Sequence, residues 1–225
     1  MIEPYYDSGG IQIFHGRAED VLDQLDPRLL PIEEWALVSD PPYEISHANT
    51  DRSMMTKSHD PATVAAFKPF DPRWLSRFPW QRMILFGANH YAHLLPPSAG
   101  WVVWDKLEGL TSPKRKIGFN DSSDCELIWT DVDQPARIIP LRWMGMLKAV
   151  EKDETRDHPV GKPVLLMGKL IEWLCDPSWV IVDPYCGAGS TLRAAKDLGR
   201  KAIGVEIEEK YCEVAARRLQ QEVLF

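Results

Sequence analysis

Short apolar runs that end abruptly at an acidic residue or a glycine recur along the chain. The pattern predicts strands at 11–16, 35–39, 83–86, 101–104, 180–182 and 201–206. It predicts helices at 18–26 and about 163–175, and a further helix that begins at Asp60-Pro61, since an aspartate cap followed by proline is a helix start signal. Short apolar runs bounded by turn signals are typical of strands buried on both faces. The alternation of strands and helices therefore predicts an α/β fold with a doubly wound sheet and helices on both of its faces.

The stretch Asp40-Pro41-Pro42-Tyr43 stops one of these strands abruptly. A carboxylate placed here stands at the carboxyl end of a sheet, where open α/β folds bind their ligands. The prolines hold the adjacent carbonyls stiffly, so that one carbonyl can accept a hydrogen bond beside Asp40. Tyr43 adds a flat face on which a ring can stack. Two acceptors and an aromatic surface suit a planar group with an exocyclic amine, although the tetrapeptide taken alone is equally compatible with a capped Pro-Pro turn.

A second apolar run ends at Asp183 and leads through a glycine turn into a helix. Gly187 and Gly189 permit positive φ angles and a close approach of the backbone to a ligand. The start of the helix offers free N–H groups. No lysine precedes Ser190-Thr191, which excludes a P-loop, and Leu192 replaces the third glycine of a dinucleotide fingerprint. A nucleoside ligand without a pyrophosphate fits this turn better.

Glu206 ends the strand that follows this helix. It lies about 20 residues beyond the glycine turn, which is the spacing at which a carboxylate grips ribose hydroxyls. A lone Gly-x-Gly is a weak signal. The full order of strand, acid, glycines, helix, strand and acid indicates a nucleoside-binding half-site much more strongly.

Taken in order, these segments resemble the DNA amino-methyltransferases that use S-adenosylmethionine, in the permuted arrangement called the β group and in its small phage-type members. The tetrapeptide looks like their catalytic motif, and 183–189 looks like their cofactor motif. The run 158–163 is similar to the His-Pro-x-x-Lys-Pro element that precedes the cofactor strand, and 204–219 resembles the end of the domain. The resemblance extends over nearly the whole chain and includes Trp104-Asp105-Lys106 and the run 124–129.

This resemblance implies a single Rossmann-like domain over 1–225, with a mixed seven-stranded sheet whose last strand is antiparallel. The catalytic half covers about 1–110, a small target-recognition region about 111–157, and the cofactor half about 158–225. The resemblance implies S-adenosylmethionine as cofactor and DNA as substrate, with adenine N6 as the favoured acceptor and cytosine N4 as the alternative. A homodimer is a further expectation, because it would double a small recognition surface.

The resemblance also assigns roles to individual residues. The catalytic residues are Asp40, Pro41, Pro42 and Tyr43. The residues expected around the cofactor are Ala18, His158, Lys162, Asp183, Tyr185, Cys186, Gly187, Ala188, Gly189, Ser190, Thr191, Glu206 and Ile207. For Lys162 the expected partner is the methionine carboxylate or a backbone carbonyl at the pocket rim. Arg17 stands where the family usually has an aspartate that reaches the cofactor adenine, so this contact is expected from the backbone near Ala18.

The net charge of −7 at pH 7 is unusual for a protein that binds nucleic acid, because DNA binding normally requires a basic surface. A local basic strip would suffice, and the candidate residues are Lys114, Arg115, Lys116, Arg137 and Arg142. A solvated loop and an exposed helix face are the alternative interpretation of these residues. Because the recognition region is small, we expect a short or degenerate target sequence.

The four cysteines show no paired spacing, so the sequence indicates neither a disulfide framework nor a zinc site. Cys186 lies in the glycine turn, but methylation of an amine needs no cysteine nucleophile. His90 and His93 lack a suitably spaced third ligand, and no metal site is predicted. The polar start and the absence of an apolar run of about 20 residues favour a cytoplasmic protein, in a bacterial or phage-infected cell, without membrane contact.

Direct methyl transfer is the chemistry expected of this site. Asp40 and the Pro41 carbonyl would accept the two hydrogens of an adenine amine and free its lone pair for the sulfonium methyl, while Tyr43 holds the ring by stacking. The base would be flipped out of the duplex, and the polar stretch 44–60 is the expected lid. Two other function classes stay open: a methyltransferase acting on RNA or on a protein amide, and a non-enzymatic nucleotide-binding regulator.

Overall fold

The computed structural model describes residues 2–25, 34–42, 70–108, 123–144, 147–148 and 161–221. Its strands are β1 (Tyr6–Ser8), β2 (Ile11–His15), β3 (Trp35–Ser39), β4 (Arg82–Phe86), β5 (Val102–Asp105), β6 (Cys125–Thr130), β7 (Arg137–Pro140), β8 (Trp143–Met144), β9 (Leu147–Lys148), β10 (Val180–Asp183) and β11 (Ala202–Glu206). Its α-helices are α1 (Ala18–Gln24), α2 (Val164–Leu174), α3 (Ser190–Asp197) and α4 (Glu209–Gln220). Short 3-10 helices cover Pro72–Arg77, Ala88–His90 and Ala92–Leu94.

Nine of these strands form one mixed sheet, in the order β1-β2-β11-β10-β3-β4-β6-β5-β7. The five strands from β2 to β4 in this order are parallel to one another. Strand β6 runs antiparallel to both β4 and β5, and β7 is parallel to β5. Strands β8 and β9 form a separate antiparallel pair. The predicted mixed α/β sheet is confirmed.

The strand count differs from the predicted seven, because the described part of the chain contributes nine strands to the sheet. At one edge, positive φ angles at Gly9 and Gly10 fold the chain back, and β1 pairs with β2 in an antiparallel hairpin. At the other edge, β7 adds beside β5. The last strand of the chain, β11, is parallel to both of its neighbours. Between the two edge strands, β6 is the strand that runs antiparallel to both of its neighbours, and it lies within the chain rather than at its end.

Strands β3 and β10 lie side by side where the strand order reverses. From β3 the chain continues to β4 on one side, whereas from β10 it continues to β11 on the other side. Every residue of both strands is buried, as expected for parallel strands that are covered on both faces. The carboxyl ends of this pair form the topological switch point, where ligands bind in open α/β sheets.

Alternate residues of the strands pack against helices on opposite faces of the sheet. On one face, Ile11 and Ile13 share a buried cluster with Leu166 of α2 and with residues of α3 and α4. On the other face, Phe14 belongs to a second cluster with Val21 of α1. These two layers confirm the prediction of helices on both faces.

The predicted element bounds agree closely with the structure in the buried core. Strand β3 occupies the predicted 35–39, and α2 covers 164–174 against the predicted 163–175. The predicted helix that begins at Asp60-Pro61 lies outside the described residues. Within the described ranges, no helix combines the length and the apolarity needed to cross a membrane.

Gly204 in β11 allows close contact between the sheet and α3. A Cβ atom at this position would lie 2.6 Å from Leu192 Cδ1 and 2.9 Å from Cys186 Sγ. We expect Gly204→Ala to lower the free energy of unfolding by about 1–3 kcal/mol, the usual cost of overpacking a core. Gly168→Ala in α2 is the matched control, since a Cβ there would meet no described atom within 4 Å and alanine stabilises a helix interior by about 0.5–1 kcal/mol. Urea unfolding measures both variants, and a Gly204→Ala protein as stable as the wild type would contradict this packing.

Candidate functional site

The two predicted half-sites meet at the carboxyl ends of β3 and β10. Asp183 is the last residue of β10, Ser39 is the last residue of the neighbouring β3, and Asp40 follows directly. The Ser39 hydroxyl donates a hydrogen bond of 2.6 Å to Asp183 Oδ1. The two strand ends are therefore joined by side chains as well as by the sheet itself.

Asp183 is buried and accepts three hydrogen bonds from the protein. Oδ2 accepts from the Thr191 hydroxyl at 2.5 Å, and Oδ1 also accepts from the Tyr185 backbone N–H at 3.1 Å. Burial raises the pKa of Asp183 to about 6; its hydrogen bonds lower the pKa, and the nearby Asp40 carboxylate raises it. This carboxylate, expected near the cofactor, joins β3, the glycine turn and the first turn of α3.

The glycine turn has the backbone conformation that the sequence predicts. Gly187 and Gly189 have φ angles of 50° and 80°, and a Cβ atom at Gly189 would lie 2.9 Å from Ala215 Cβ of α4. Gly189 immediately precedes α3, whose first N–H groups have no partner within the helix. Three further residues expected at the cofactor are buried in the same segment: Ala188, Ser190 and Thr191.

Cys186 lies in this turn as a buried thiol. Burial raises the pKa of the thiol well above its usual value, and Asp183 and Glu206 raise it further. The thiolate is the nucleophilic form of cysteine, so this environment disfavours a nucleophile. Cys186 packs beneath Gly204 instead, where its sulfur limits the space for a larger residue.

Glu206 ends β11 and holds the glycine turn from the side. Its Oε2 accepts from the Gly187 backbone N–H at 3.0 Å, and its Oε1 accepts from the Glu208 backbone N–H at 2.8 Å. Burial raises the pKa of Glu206, while these backbone hydrogen bonds lower it. Because a carboxylate has about four lone-pair sites, Glu206 retains the capacity to accept hydrogen bonds from the hydroxyls of a ligand.

The end of β2 lies against the same corner of the sheet. The Gly16 N–H donates to the Glu206 backbone carbonyl at 2.9 Å, and His15 Nε2 lies 3.0 Å from the Ile207 carbonyl oxygen. Ala18 is buried at the start of α1, whereas Ile207 is 52% exposed. Two residues expected at the cofactor, Ala18 and Ile207, thus belong to segments that are bonded to each other beside Glu206.

Asp40 has the most unusual environment of the site. Its Oδ2 accepts a hydrogen bond from the Lys162 ammonium group, whereas Oδ1 is buried and has no hydrogen-bond partner among the residues that the structure describes. Burial raises the pKa of Asp40, the ammonium group lowers it, and Glu126 raises it. A buried acceptor without a partner costs about 1–3 kcal/mol. Oδ1 is therefore prepared to accept a hydrogen bond from a ligand.

The position of Lys162 differs from the expectation. The sequence predicts the methionine carboxylate or a backbone carbonyl as its partner, but the ammonium group lies between two carboxylates. It is hydrogen-bonded to Asp40 and lies 3.3 Å from Glu126 Oε2. The side chain is 6% exposed, and a buried charge needs opposite charges within reach. Lys162 is therefore paired with Asp40, the first residue of the predicted catalytic tetrapeptide.

Glu126 of β6 and Lys106, which follows β5, complete this charged cluster. Lys106 Nζ lies 2.7 Å from Glu126 Oε1. Burial raises the pKa of Glu126, but the ammonium groups of Lys162 and Lys106 outweigh it and hold the pKa below its usual value. Motif reasoning did not identify Glu126 or Lys106 as site residues. For Glu126 the available signal was a charged residue inside the otherwise apolar stretch 125–129.

Tyr185 belongs to an aromatic cluster next to the glycine turn. Its ring makes edge-to-face contacts with Phe70 and Trp74, at centroid distances of 5.7 Å and 6.5 Å, and Phe70 contacts Tyr91 at 4.9 Å. Burial raises the pKa of Tyr185. Phe70 and Trp74 were not predicted as neighbours of the site, because they belong to no motif and reach it only through packing.

The remaining predicted site residues lie next to Asp40, at the surface or outside the described residues. Pro41 is buried and Pro42 is exposed. Arg137 is exposed on the edge strand β7, and Arg142 forms an ion pair with Glu108 at 3.2 Å. Five predicted residues lie outside the described ranges: Tyr43, Lys114, Arg115, Lys116 and His158.

Comparison with known proteins places this geometry in a family context. A protein-family model for N6/N4 methyltransferases, described as DNA methylase, matches residues 81–217. The chain is 38% identical to the type II methyltransferase M.HinfI of Haemophilus influenzae over 77 residues, which are 34% of this chain and only 21% of that protein. It is 23% identical to the type II methyltransferase M2.LlaDCHI of Lactococcus lactis subsp. cremoris over 255 aligned positions, 98% of this chain and 93% of that protein. The crystal structure of the M1.HpyAVI-SAM complex shares the fold, with a TM-score of 0.60, 21% identity and coverage of 94% of this chain and 100% of that chain.

The raised pKa of Asp183 makes the stability of the protein depend on pH. The folded protein binds this proton more tightly than the unfolded chain does, so the stabilising contribution of the protonated group is lost as pH rises through its folded pKa of about 6. Between about pH 4 and pH 6.5 we expect the free energy of unfolding to fall by on the order of 2 kcal/mol more in the wild type than in Asp183→Asn, which cannot titrate at this position. Urea unfolding at several pH values measures this difference, and parallel profiles for the two proteins would contradict the assignment.

Proposed function

The chain belongs to the N6/N4 DNA methylase family, and we propose that it transfers a methyl group from S-adenosylmethionine to an exocyclic amine of DNA, with adenine N6 as the acceptor. The proposal rests above all on Asp40 Oδ1, a buried acceptor without a partner among the described residues. This atom stands at the switch point of the sheet, beside the glycine turn on the adjacent parallel strand. A base and a methyl donor held at these two strand ends would face each other.

S-adenosylmethionine occupies the half of the site that is built on β10 and β11. Glu206 would accept hydrogen bonds from the ribose hydroxyls, beside those that it accepts from the backbone N–H groups of Gly187 and Glu208. The positive φ angles at Gly187 and Gly189 let the donor approach the backbone closely. The backbone near Ala18 and the partly exposed Ile207 flank the adenine of the cofactor.

The target base occupies the half that is built on β3. Asp40 Oδ1 and the Pro41 carbonyl accept the two hydrogens of the amine, and Tyr43 stacks on the ring. The lone pair of an exocyclic amine is delocalised into the ring, so these two acceptors favour the pyramidal nitrogen that can attack a methyl group. The base has to leave the duplex to reach the end of the strand.

The reaction is a direct in-line displacement. The nitrogen lone pair forms the new N–C bond while the S–C bond breaks, and the electron pair of that bond remains on sulfur in S-adenosylhomocysteine. The methylated nitrogen then gives up one proton, which Asp40 accepts before solvent receives it. The methyl transfer is accelerated by the positioning of the two reactants and by the preset acceptors. The hydrogen bonds of Asp183 hold the two strand ends at a fixed separation.

Adenine is the preferred target because the catalytic tetrapeptide opens with aspartate. In this proposal the catalytic segment precedes the cofactor segment in the permuted order, and the target is read by residues within 111–157, including the exposed Arg137. Because each base discriminated requires its own contacts at a groove edge, this short region reads a short or degenerate sequence. A homodimer would double the reading surface.

Asp40→Ala tests the assignment of the acceptor. We expect transfer of labelled methyl groups from S-adenosylmethionine to duplex DNA to fall by roughly 100-fold or more, the scale of losing a preset contact to the transition state. The dissociation constant for S-adenosylmethionine, measured by calorimetry, should stay within a few-fold, since Asp40 faces the base. Asp23→Ala removes an exposed aspartate that pairs with Arg77 at 3.2 Å, and as the control it should keep the wild-type rate.

Single-molecule sequencing of DNA from cells that express the wild-type chain identifies the methylated base and its context. Near-wild-type turnover by Asp40→Ala would show that the tetrapeptide is not catalytic. Methyl groups on cytosine alone, or a unique motif of about six or more defined bases, would refute the proposed target. Transfer of the labelled methyl group to RNA or to protein, and not to DNA, would show that DNA is not the substrate.

Glu206→Gln tests the donor half of the site. The amide cannot accept both backbone N–H groups and ribose hydroxyls as the carboxylate does, so we expect the affinity for S-adenosylmethionine to fall by roughly 1.5–3 kcal/mol, the value of hydrogen bonds to a charged group. Glu208→Gln, two residues away and paired with Lys210 at 3.5 Å, is the matched control and should bind normally. Calorimetry measures both variants, and an unchanged affinity in Glu206→Gln would move the ribose contact to another residue.

A further inference from the structure

Asp40 belongs to a cluster of four charged side chains from four separate segments of the fold. The Lys162 ammonium group is hydrogen-bonded to Asp40 Oδ2 and lies 3.3 Å from Glu126 Oε2, and Lys106 Nζ lies 2.7 Å from Glu126 Oε1. The side chains are 25% exposed for Asp40, 6% for Lys162, 17% for Glu126 and 15% for Lys106. Two carboxylates and two ammonium groups thus form a series of alternating charge that ends at Oδ2 of Asp40, beside the unpartnered Oδ1.

We propose that Glu126 is a positioning residue for the methyl transfer: it shares the Lys162 ammonium group with Asp40, offsets its charge, and so keeps Asp40 Oδ1 a strong acceptor for the target amine. Glu126 touches neither the base nor the donor in this proposal and acts only through Lys162. The inference rests on the proposed function, since it concerns the strength of the acceptor in that reaction.

Lys162 alone would weaken the chemistry that Asp40 performs. The amine nitrogen gains positive charge as the methyl group is transferred, and a nearby carboxylate stabilises that charge. An ammonium group bound directly to the carboxylate cancels much of its field, and this cancellation is strong in a buried site, where water screens charges poorly. A second carboxylate on the far side of the ammonium group, at Glu126, restores negative charge near the target.

Lys162 remains necessary, because burial alone would favour a protonated Asp40 that accepts hydrogen bonds poorly. The charged groups that face Asp40 are Lys162, Glu126 and Lys106, together with Asp183 at the end of the adjacent strand. Glu126 raises the pKa of Asp40 and Lys106 lowers it, because the positive charge of Lys106 offsets the negative charge of Glu126.

A purely structural role for Glu126 predicts the opposite outcome. If Glu126 only anchors Lys162 against Asp40, its loss frees the ammonium group to move away, and the pKa of Asp40 rises. If Glu126 offsets the charge of Lys162, its loss removes that offset, and the pKa of Asp40 falls. The sign of the change therefore separates the two roles.

Carbon-13 NMR of the aspartate carboxyl groups measures the titration of Asp40 in the full chain, with the resonance assigned by its absence in Asp40→Asn. We expect the titration midpoint to fall in Glu126→Gln and to rise in Lys106→Gln, relative to the wild type. An unchanged or raised midpoint in Glu126→Gln overturns the proposal. If Glu126→Gln does not fold, Lys106→Gln decides, and an unchanged or lowered midpoint there overturns the proposal equally.

Single-turnover methyl transfer to DNA provides the catalytic measurement. At neutral pH we expect Glu126→Gln to slow the transfer by on the order of tenfold, less than the loss of a direct contact, with unchanged affinity for S-adenosylmethionine and the acid limb of the pH profile moved to lower pH. Glu213→Gln removes an exposed carboxylate paired with Arg217 on α4 and should keep the wild-type rate. A normal rate in Glu126→Gln overturns the catalytic part of the inference. A wild-type chain that methylates no DNA overturns the proposed function instead, and the NMR titration still decides whether Glu126 offsets Lys162.

Discussion

The arrangement of both half-sites depends on one buried carboxylate, Asp183. A carboxylate in a protein interior is costly unless hydrogen bonds replace its water. Three protein groups replace the water: the Ser39 hydroxyl at the end of β3, the Thr191 hydroxyl in α3, and the Tyr185 backbone N–H in the turn between β10 and α3. The same bonds that make the burial tolerable fix the separation between the strand end that carries Asp40 and the glycine turn.

Asp40 contrasts with Asp183, because its Oδ1 is buried and has no hydrogen-bond partner among the described residues. An acceptor held ready for a ligand lowers the stability of the free protein, since its burial is not compensated until the ligand arrives. The surrounding sheet offsets this cost, because the residues of β3 and β10 are buried throughout and pack against helices on both faces. Other buried polar atoms of the described residues also have no hydrogen-bond partner, among them Trp35 Nε1 and Arg200 Nε, so Asp40 Oδ1 is distinguished by its position at the end of β3.

Local signals predicted the parts of this structure that local chemistry determines. The buried strands 35–39 and 180–183 and the positive φ angles at Gly187 and Gly189 follow from apolar runs and from glycine itself. The strand count could not be read in the same way, because an edge strand of three residues such as β1 exists only through its partner. The ion pair between Lys162 and Asp40 joins positions 122 residues apart, and no periodicity within either segment encodes that contact.

The contact between Lys106 and Glu126 has a consequence for the connection between β5 and β6. Lys106 directly follows β5 and Glu126 lies near the start of β6, so their 2.7 Å ion pair joins the two ends of this connection. The same ion pair is connected through Lys162 to Asp40. A substitution of Lys106 or Glu126 therefore has two effects at once: it alters the anchoring of this connection and it alters the charge close to Asp40.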